Sequence, residues 1–254
     1  MAVNRFNYFS PNNNMKYCGS SQFKSFLKCP AQAMAELRGE WKREETTALL
    51  IGSYVDAWFE GNLDTFKAEH PEILKRDGTL KAEFVKADEI IARVGRDELF
   101  MRYMSGQSQA IRTGFIGGVP FKIKMDSYHK GKAIVDLKVI KDFEPLWNEE
   151  RGIRQDFIQY WGYDIQAAIY QAIEGNKLPF FICAVTKETI PDFDIIQVPQ
   201  TWIDSAMAII KNEIGIIDAY KRGELEPPRC GKCAYCRETK KLDRVRSADE
   251  FIVS

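Results

Sequence analysis

The sequence is short of several things, and each shortage removes a class of function. Its 254 residues carry 36 Lys plus Arg against 36 Asp plus Glu, so there is no net charge. Without an overall positive field, any affinity for nucleic acid has to come from local clustering. Histidine is scarce: of the two, His70 precedes Pro71 and His129 falls in an expected turn. That leaves little for a hydrolase built on a nucleophile and an imidazole base, and neither a Gly-x-Ser-x-Gly elbow nor a P-loop occurs. No run approaches the ~20 apolar residues of a membrane span, and MAVNRFNYFSPNNNMKYC at the start has no apolar signal-peptide core. The expectation is a cytoplasmic protein without membrane contact. Structural disulfides are rare there, so the six cysteines read as free thiols or metal ligands.

What is present, 45% hydrophobic and 28% charged residues, is the composition of an ordinary globular chain. Residues 1–16 are polar and Asn-rich. A Ser in Ser20-Ser21-Gln22 can cap a helix carrying Phe23, Phe26 and Leu27. A second helix is expected from about Glu45 to Phe59, stopped by Gly61-Asn62. Residues 63–80 read as loop, and Lys81 to Phe100 has helical spacing again. Then the period changes. Gly117-Gly118 signals a hairpin turn, followed by a strand with Phe121, Ile123 and Met125 on one face and Lys122, Lys124 and Asp126 on the other. Ala133 to Ile140 forms the next strand, Gln155 to Glu174 a long helix, and Phe180 to Thr186 a buried strand partnered by Asp194 to Val198. Trp202 to Arg222 is a helix with an apolar stripe through Ile203, Met207, Ile210, Ile214 and Ile217. The expected class is mixed α/β: an arm (1–19), one large domain (20–226) and a cysteine-containing tail (227–254) packed on it.

Asp136 and Lys138, two apart on one strand, project from the same face. Asp126 ends the preceding strand beside the connecting turn, so a hairpin can bring both carboxylates near one point. Hard oxygen ligands so placed suit Mg²⁺ or Mn²⁺, which would polarise a phosphate and activate water, with Lys138 orienting that water or offsetting transition-state charge. Alone, an acidic-x-Lys triplet fits a solvated strand face better than a site. Three features add to it. Asp56 and Glu60 share a helix face at i, i+4; so do Gln166 and Tyr170; and Lys122, Lys124, Lys130, Lys132, Lys138 and Lys141 crowd the hairpin, a local field favouring phosphate.

In order along the chain, G-S-x-x-D-x-x-x-E from Gly52, K-I-K-M-D ending at Asp126, I-V-D-L-K ending at Lys138 and Q-A-A-I-Y from Gln166 resemble the RecB-like PD-(D/E)XK nucleases. They look closest to phage and prophage exonucleases of the RecE type. The resemblance implies a restriction-endonuclease-like core in which Asp126, Asp136 and the Leu137 carbonyl hold the metal, Lys138 is the catalytic lysine, and Gln166 and Tyr170 contact DNA, as Lys122 and Lys124 would. The family usually has His where this sequence has Asp56. A carboxylate there keeps a ligand and makes the site harder, favouring Mg²⁺ over Mn²⁺. Many relatives also carry an acidic residue before the hairpin, where Gln107 and Gln109 are the nearest polar residues.

Cys230-x-x-Cys233-x-x-Cys236 offers three thiolates to one metal or cluster, with Cys29 the natural fourth. Some RecB-like nucleases are similar in holding a [4Fe–4S] cluster this way, although the triplet here is tighter. A cluster, a Zn²⁺ ion and reduced thiols all stay open. The expected activity is metal-dependent exonucleolysis of linear duplex DNA. The resemblance implies phage-type recombination, a single-strand annealing protein as partner and a homo-oligomer. The alternative is a non-catalytic nucleic-acid-binding module using the lysine-rich hairpin and the cysteine knuckle.

Overall fold

The computed structural model describes residues 2–44, 46–149 and 151–248. The Asn-rich start is not all irregular. Ser10 caps α1 (Pro11–Lys16) by accepting the Asn13 N–H, and Pro11 presets the first helical φ. After α2 (Ser20–Lys28), the Cys29 sulfur accepts the Gln32 N–H at the head of α3 (Pro30–Arg38), a helix absent from the sequence-based expectation. Thr46 caps α4 (Thr47–Phe59), and the expected start at Glu45 lies outside the described residues. The stretch expected as loop contains α5 (Leu63–Glu69) and a 3₁₀ turn at Pro71–Ile73. The single helix expected over Lys81 to Phe100 is two: Gly95 ends α6 (Ala82–Val94), and the Asp97 carboxylate caps α7 (Glu98–Met104).

The hairpin of β1 (Gln107–Ile116) and β2 (Val119–His129) turns on Gly117-Gly118, whose φ of 57° and 81° are the values a two-residue turn demands. Beyond β3 (Ala133–Ile140), β4 (Leu146–Asn148) pairs with β5 (Ile153–Gln155) in a separate ribbon. The helix expected to begin at Gln155 is therefore shorter and broken, into α8 (Phe157–Tyr160) and α9 (Tyr163–Glu174). Asp156 caps the first and Gly162, at φ 64°, makes the break. The chain continues with β6 (Phe180–Thr186), β7 (Phe193–Gln197), α10 (Gln200–Arg222) and α11 (Ala234–Glu238).

The main sheet has the order β1-β2-β3-β6-β7, antiparallel throughout except for the central β3–β6 pair. Alternation along the two central strands feeds two cores. Ile134, Phe180, Ile182 and Ala184 face α2, α3, α9 and α10, while Val135, Leu137, Cys183 and Val185 face α4, α6 and α7. The apolar stripe of α10 is spent on the first core, with Ile203, Ile210, Ile214 and Ile217 buried. The result is an α/β/α sandwich of the kind a sheet with two apolar faces requires.

Two irregularities in this sheet make the site. The β2–β3 ladder holds only three pairs and stops at Ser127↔Val135, one step short of Asp126 and Asp136. Beyond that point β2 takes Cys18 as its neighbour instead: Cys18 N–H donates to the Pro120 carbonyl and Lys122 N–H to the Cys18 carbonyl. On the other side of β2, Gln109 stands opposite Asp126 but does not pair with it, and its φ of 53° lies in the left-handed region. Met125 and Tyr128, three apart, both reach the same core, so the two-residue alternation slips here. A slip of this kind re-aims a side chain, and the residue re-aimed is Asp126.

Gly162 marks the entrance to α9, and an added Cβ would sit 2.9 Å from Cδ of Lys24. Gly162→Ala combines a left-handed alanine with that clash and is expected to cost roughly 1–2 kcal/mol, read as a lower urea midpoint. An unchanged midpoint would mean that the α8–α9 break is not fixed by glycine.

Candidate active site

Where β2 and β3 part, the chain leaves polar groups that must find other partners. The Leu137 N–H, deprived of a strand, donates to Asp126 Oδ2 at 3.0 Å. Within an extended strand the N–H and C=O of one residue point to the same side, so the Leu137 carbonyl faces this opening too. Asp136 is 2% exposed. Its Oδ1 accepts from Gln166 Nε2 at 2.6 Å, and its Oδ2 has the Lys138 ammonium in contact as its ion-pair partner. That ammonium also lies 4.9 Å from the Tyr163 ring centroid.

α9 delivers three side chains to this point, because Tyr163, Gln166 and Tyr170 recur at steps of three and four on one face. Tyr170 donates its hydroxyl to the Lys124 carbonyl at 2.8 Å and so pins β2 beside the opening. Gln166 and Tyr170 are both buried and both engaged. From the other face of the sheet, α4 contributes Asp56. These residues lie in a groove of about 1120 Å³, also walled by Tyr8, Phe9 and Asn14 of the N-terminal segment and by the α2–α3 corner.

The electrostatics are those of crowded acids. Burial pushes Asp126 well above the usual carboxylate range, Asp136 and Asp56 push it further, and Lys138 opposes them. Asp56 is pushed up to about 7 by burial, helped by Asp136 and Glu60 against Lys138. Burial works against the Lys138 cation, but Asp136 and Asp126 outweigh it and hold the ammonium charged. Buried carboxylates crowded together, with Asp126 and Asp56 held above their ordinary range, are what a bound cation would relieve. The residues that could hold one are Asp126, Asp136, the Leu137 carbonyl and Asp56. They are less compact than the four cysteine thiols, the one group of three or more His, Cys, Asp or Glu ligands gathered within 4.8 Å among the described residues. An open set suits Mg²⁺, which keeps several waters and takes few protein ligands.

The two lysines read together in the sequence both line the groove but take different partners. Lys124 lines the groove, its ammonium 5.4 Å from the Phe9 ring. Lys122 is 3% exposed, and its ammonium is taken up by the Tyr8 carbonyl and by Asn14 Oδ1, the latter at 2.6 Å. Lys122 thus ties the N-terminal segment to β2. Cys29, Cys230, Cys233 and Cys236 come together away from the groove, while Cys18 and Cys183 are buried and free.

Two groove residues, Lys24 and Tyr163, escaped the sequence. Lys24 donates to the Trp161 carbonyl at 3.1 Å, and burial, with Lys138 nearby, lowers it to about 8. Tyr163 had a usable signal, its spacing from Gln166 and Tyr170. Gln109 is legible in the sequence as one of the polar residues before the hairpin, but its left-handed backbone and its buried, unpartnered Oε1 are tertiary facts. A non-glycine residue held there costs on the order of 1–3 kcal/mol, a strain that clusters at functional sites.

Over residues 19–239 the chain matches the model of a family described as a PDDEXK-like domain of unknown function (DUF3799). It is also similar to a candidate exonuclease from Eubacterium rectale, solved by crystallography at 2.19 Å. The two are 45% identical, the match covers 100% of this chain and 99% of that one, and the TM-score is 0.95. No curated protein matches the chain.

Raised carboxylates give this site a pH signature. The unfolded chain releases its aspartate protons near pH 4, whereas folded Asp56 keeps its proton to about 7. Across that window the folded state binds more protons, so rising pH lowers stability. Without divalent metal, the wild type is expected to lose more stability between pH 5 and 8 than Asp56→Asn, measured by urea unfolding. Equal losses would show that Asp56 is not desolvated.

Proposed function

The chain belongs to the PDDEXK-like family, and from that premise we propose that it is a divalent-metal-dependent exonuclease hydrolysing phosphodiester bonds at the ends of linear duplex DNA. The observation that carries the proposal is the convergence of Asp126, Asp136 and Lys138 on one groove, with Asp56 lining it as a further carboxylate. Asp126, Asp136 and the Leu137 carbonyl would hold Mg²⁺ or Mn²⁺, with Asp56 as a further carboxylate from α4. When bound, such an ion supplies Lewis-acid polarisation of the phosphate and a more acidic water.

The side chains supply position and charge. Gln166 fixes Asp136 by its hydrogen bond, so the carboxylate needs no reorganisation as substrate arrives. Lys138, kept protonated by its acidic neighbours, acts as a hydrogen-bond donor and fixed cation, not as a base. It orients the attacking water and offsets charge on the phosphoryl oxygens as the new P–O bond forms. The P–O bond to the sugar oxygen breaks, the attacking water gives up a proton to solvent, and the leaving oxygen takes one from solvent. Lys24 and Lys124 contact phosphate along the groove, which explains how a chain with no net charge gathers DNA locally. Gln109 Oε1 adds a neutral oxygen where many relatives place an acid. Gln166 and Tyr170 act as positioning residues beside the DNA. The resemblance to RecE-type exonucleases extends this proposal to end resection in phage-type recombination, by a homo-oligomer working with a single-strand annealing protein.

With Mg²⁺ or Mn²⁺ the protein should degrade linear duplex DNA and spare covalently closed circles, and chelation should stop it. Asp136→Asn and Lys138→Ala are expected to lower the rate by at least about a hundredfold, with circular dichroism unchanged. Cleavage of closed circles would overturn the end requirement. A near-normal rate for Lys138→Ala would remove the lysine from the mechanism.

A further inference from the structure

Outside the groove, the strongest unassigned constellation is the corner where Cys29 meets the C-terminal segment. The four sulfurs come from places more than 190 residues apart in sequence, and all lie within 4.8 Å of one another. The separations are 3.6 Å for Cys29–Cys236, 3.7 Å for Cys29–Cys233 and 3.9 Å for Cys230–Cys236. All four are free thiols. Four thiolates at the corners of a tetrahedron around one zinc ion, with Zn–S of about 2.3 Å, stand about 3.8 Å apart. A [4Fe–4S] cluster places each thiolate on a different iron, so two Fe–S bonds and an edge of the cage separate any two of them. Such a cage does not fit within a 4.8 Å span.

The backbone is arranged for thiolates. Cys29 accepts the Gln32 N–H at 3.5 Å, Cys230 the Cys233 N–H at 3.4 Å, and Cys233 the Cys236 N–H at 3.4 Å. Each of these puts a donor on a sulfur, which stabilises a negative charge. Gly231, at φ 75°, lets the chain reverse between Cys230 and Cys233 so that both sulfurs face inward. Arg229 braces the far side through the Cys236 carbonyl, at 3.1 Å.

Packing alone does not account for the order of this segment. The fully buried members of its cluster are Cys29, Ala31 and Cys236, with Tyr235 adding an edge-on contact to Trp41. So small an apolar core calls for a staple. Cys230 and Cys233 remain partly exposed, which leaves a route for an ion.

We propose that Cys29, Cys230, Cys233 and Cys236 bind a single Zn²⁺ ion as a closed tetrathiolate site that clamps the C-terminal knuckle to the junction of α2 and α3. The site is structural, since four protein ligands leave no position for substrate. Its position matters to the groove, because Lys24 on α2 and Arg38 on α3 line the groove from either side of Cys29.

Metal content, not activity, tests this. Full-length protein purified without air should carry about one zinc per chain and no acid-labile sulfide. After chelation under reductant, Co²⁺ should be taken up to about one equivalent, with the intense visible bands of tetrahedral cobalt and a near-ultraviolet thiolate-to-metal transition. Cys233→Ser should lower Co²⁺ affinity at least tenfold, roughly, as loss of one of four ligands implies. Asp136→Asn should keep the zinc, which separates this site from the carboxylates. About four irons with matching sulfide would overturn the proposal in favour of a cluster. A wild-type chain that binds neither Zn²⁺ nor Co²⁺ while all four thiols stay reduced would overturn it outright.

Discussion

A carboxylate removed from water needs compensation worth several kcal/mol, and Asp136 is the group around which this chain arranges that compensation. One oxygen is held by Gln166 and the other by the Lys138 ammonium, while Asp126 and Asp56 add two more buried carboxylates close by. One lysine among three buried acids leaves the cluster with an excess of acid groups. In the interior that excess is a preference for cations, because the local dielectric is too low to screen it. The donor types agree with that preference: oxygen donors in an open set are the kind that suit a hard divalent ion.

The sheet supplies the geometry by failing to be regular. Had the β2–β3 ladder run one pair further, Asp126 and Asp136 would have stood opposite one another as a repelling pair on a flat face. Stopping at Ser127↔Val135 opens a wedge, and the slip opposite Gln109 turns Asp126 into it. The backbone groups released by the split do not go unsatisfied, since the Leu137 N–H finds Asp126 and the edge of β2 finds Cys18. The site is thus made of the same hydrogen bonds that repair the sheet. Changing one is bound to disturb both.

Charge is distributed with similar economy. Equal numbers of acids and bases leave no global field, yet the groove gathers Lys24, Lys124 and Lys138 around the carboxylates. Lys122, one more base on the same strand, is diverted to anchor the N-terminal segment. That anchor places Tyr8, Phe9 and Asn14 on the groove wall, so the start of the chain takes part in the site. On the opposite side, the cysteine corner braces the wall formed by α2 and α3.

The sequence by itself determined the strands and their faces. Alternation through Phe121, Ile123 and Met125, the Gly-Gly turn and the D-L-K triplet are local patterns, because side-chain direction repeats every two residues whatever the strand packs against. The order of motifs was likewise enough to name the nuclease superfamily. Short helices such as α3 and α5 escaped because a few turns carry too little periodicity to stand out from loop. What the tertiary structure alone decided is where pairing ends. The open wedge, the left-handed Gln109 and the burial of Lys122 against the N-terminal segment all depend on contacts between residues far apart in the chain. No local pattern encodes those, because whether a strand pair continues or splits is settled by what the rest of the fold offers its backbone groups.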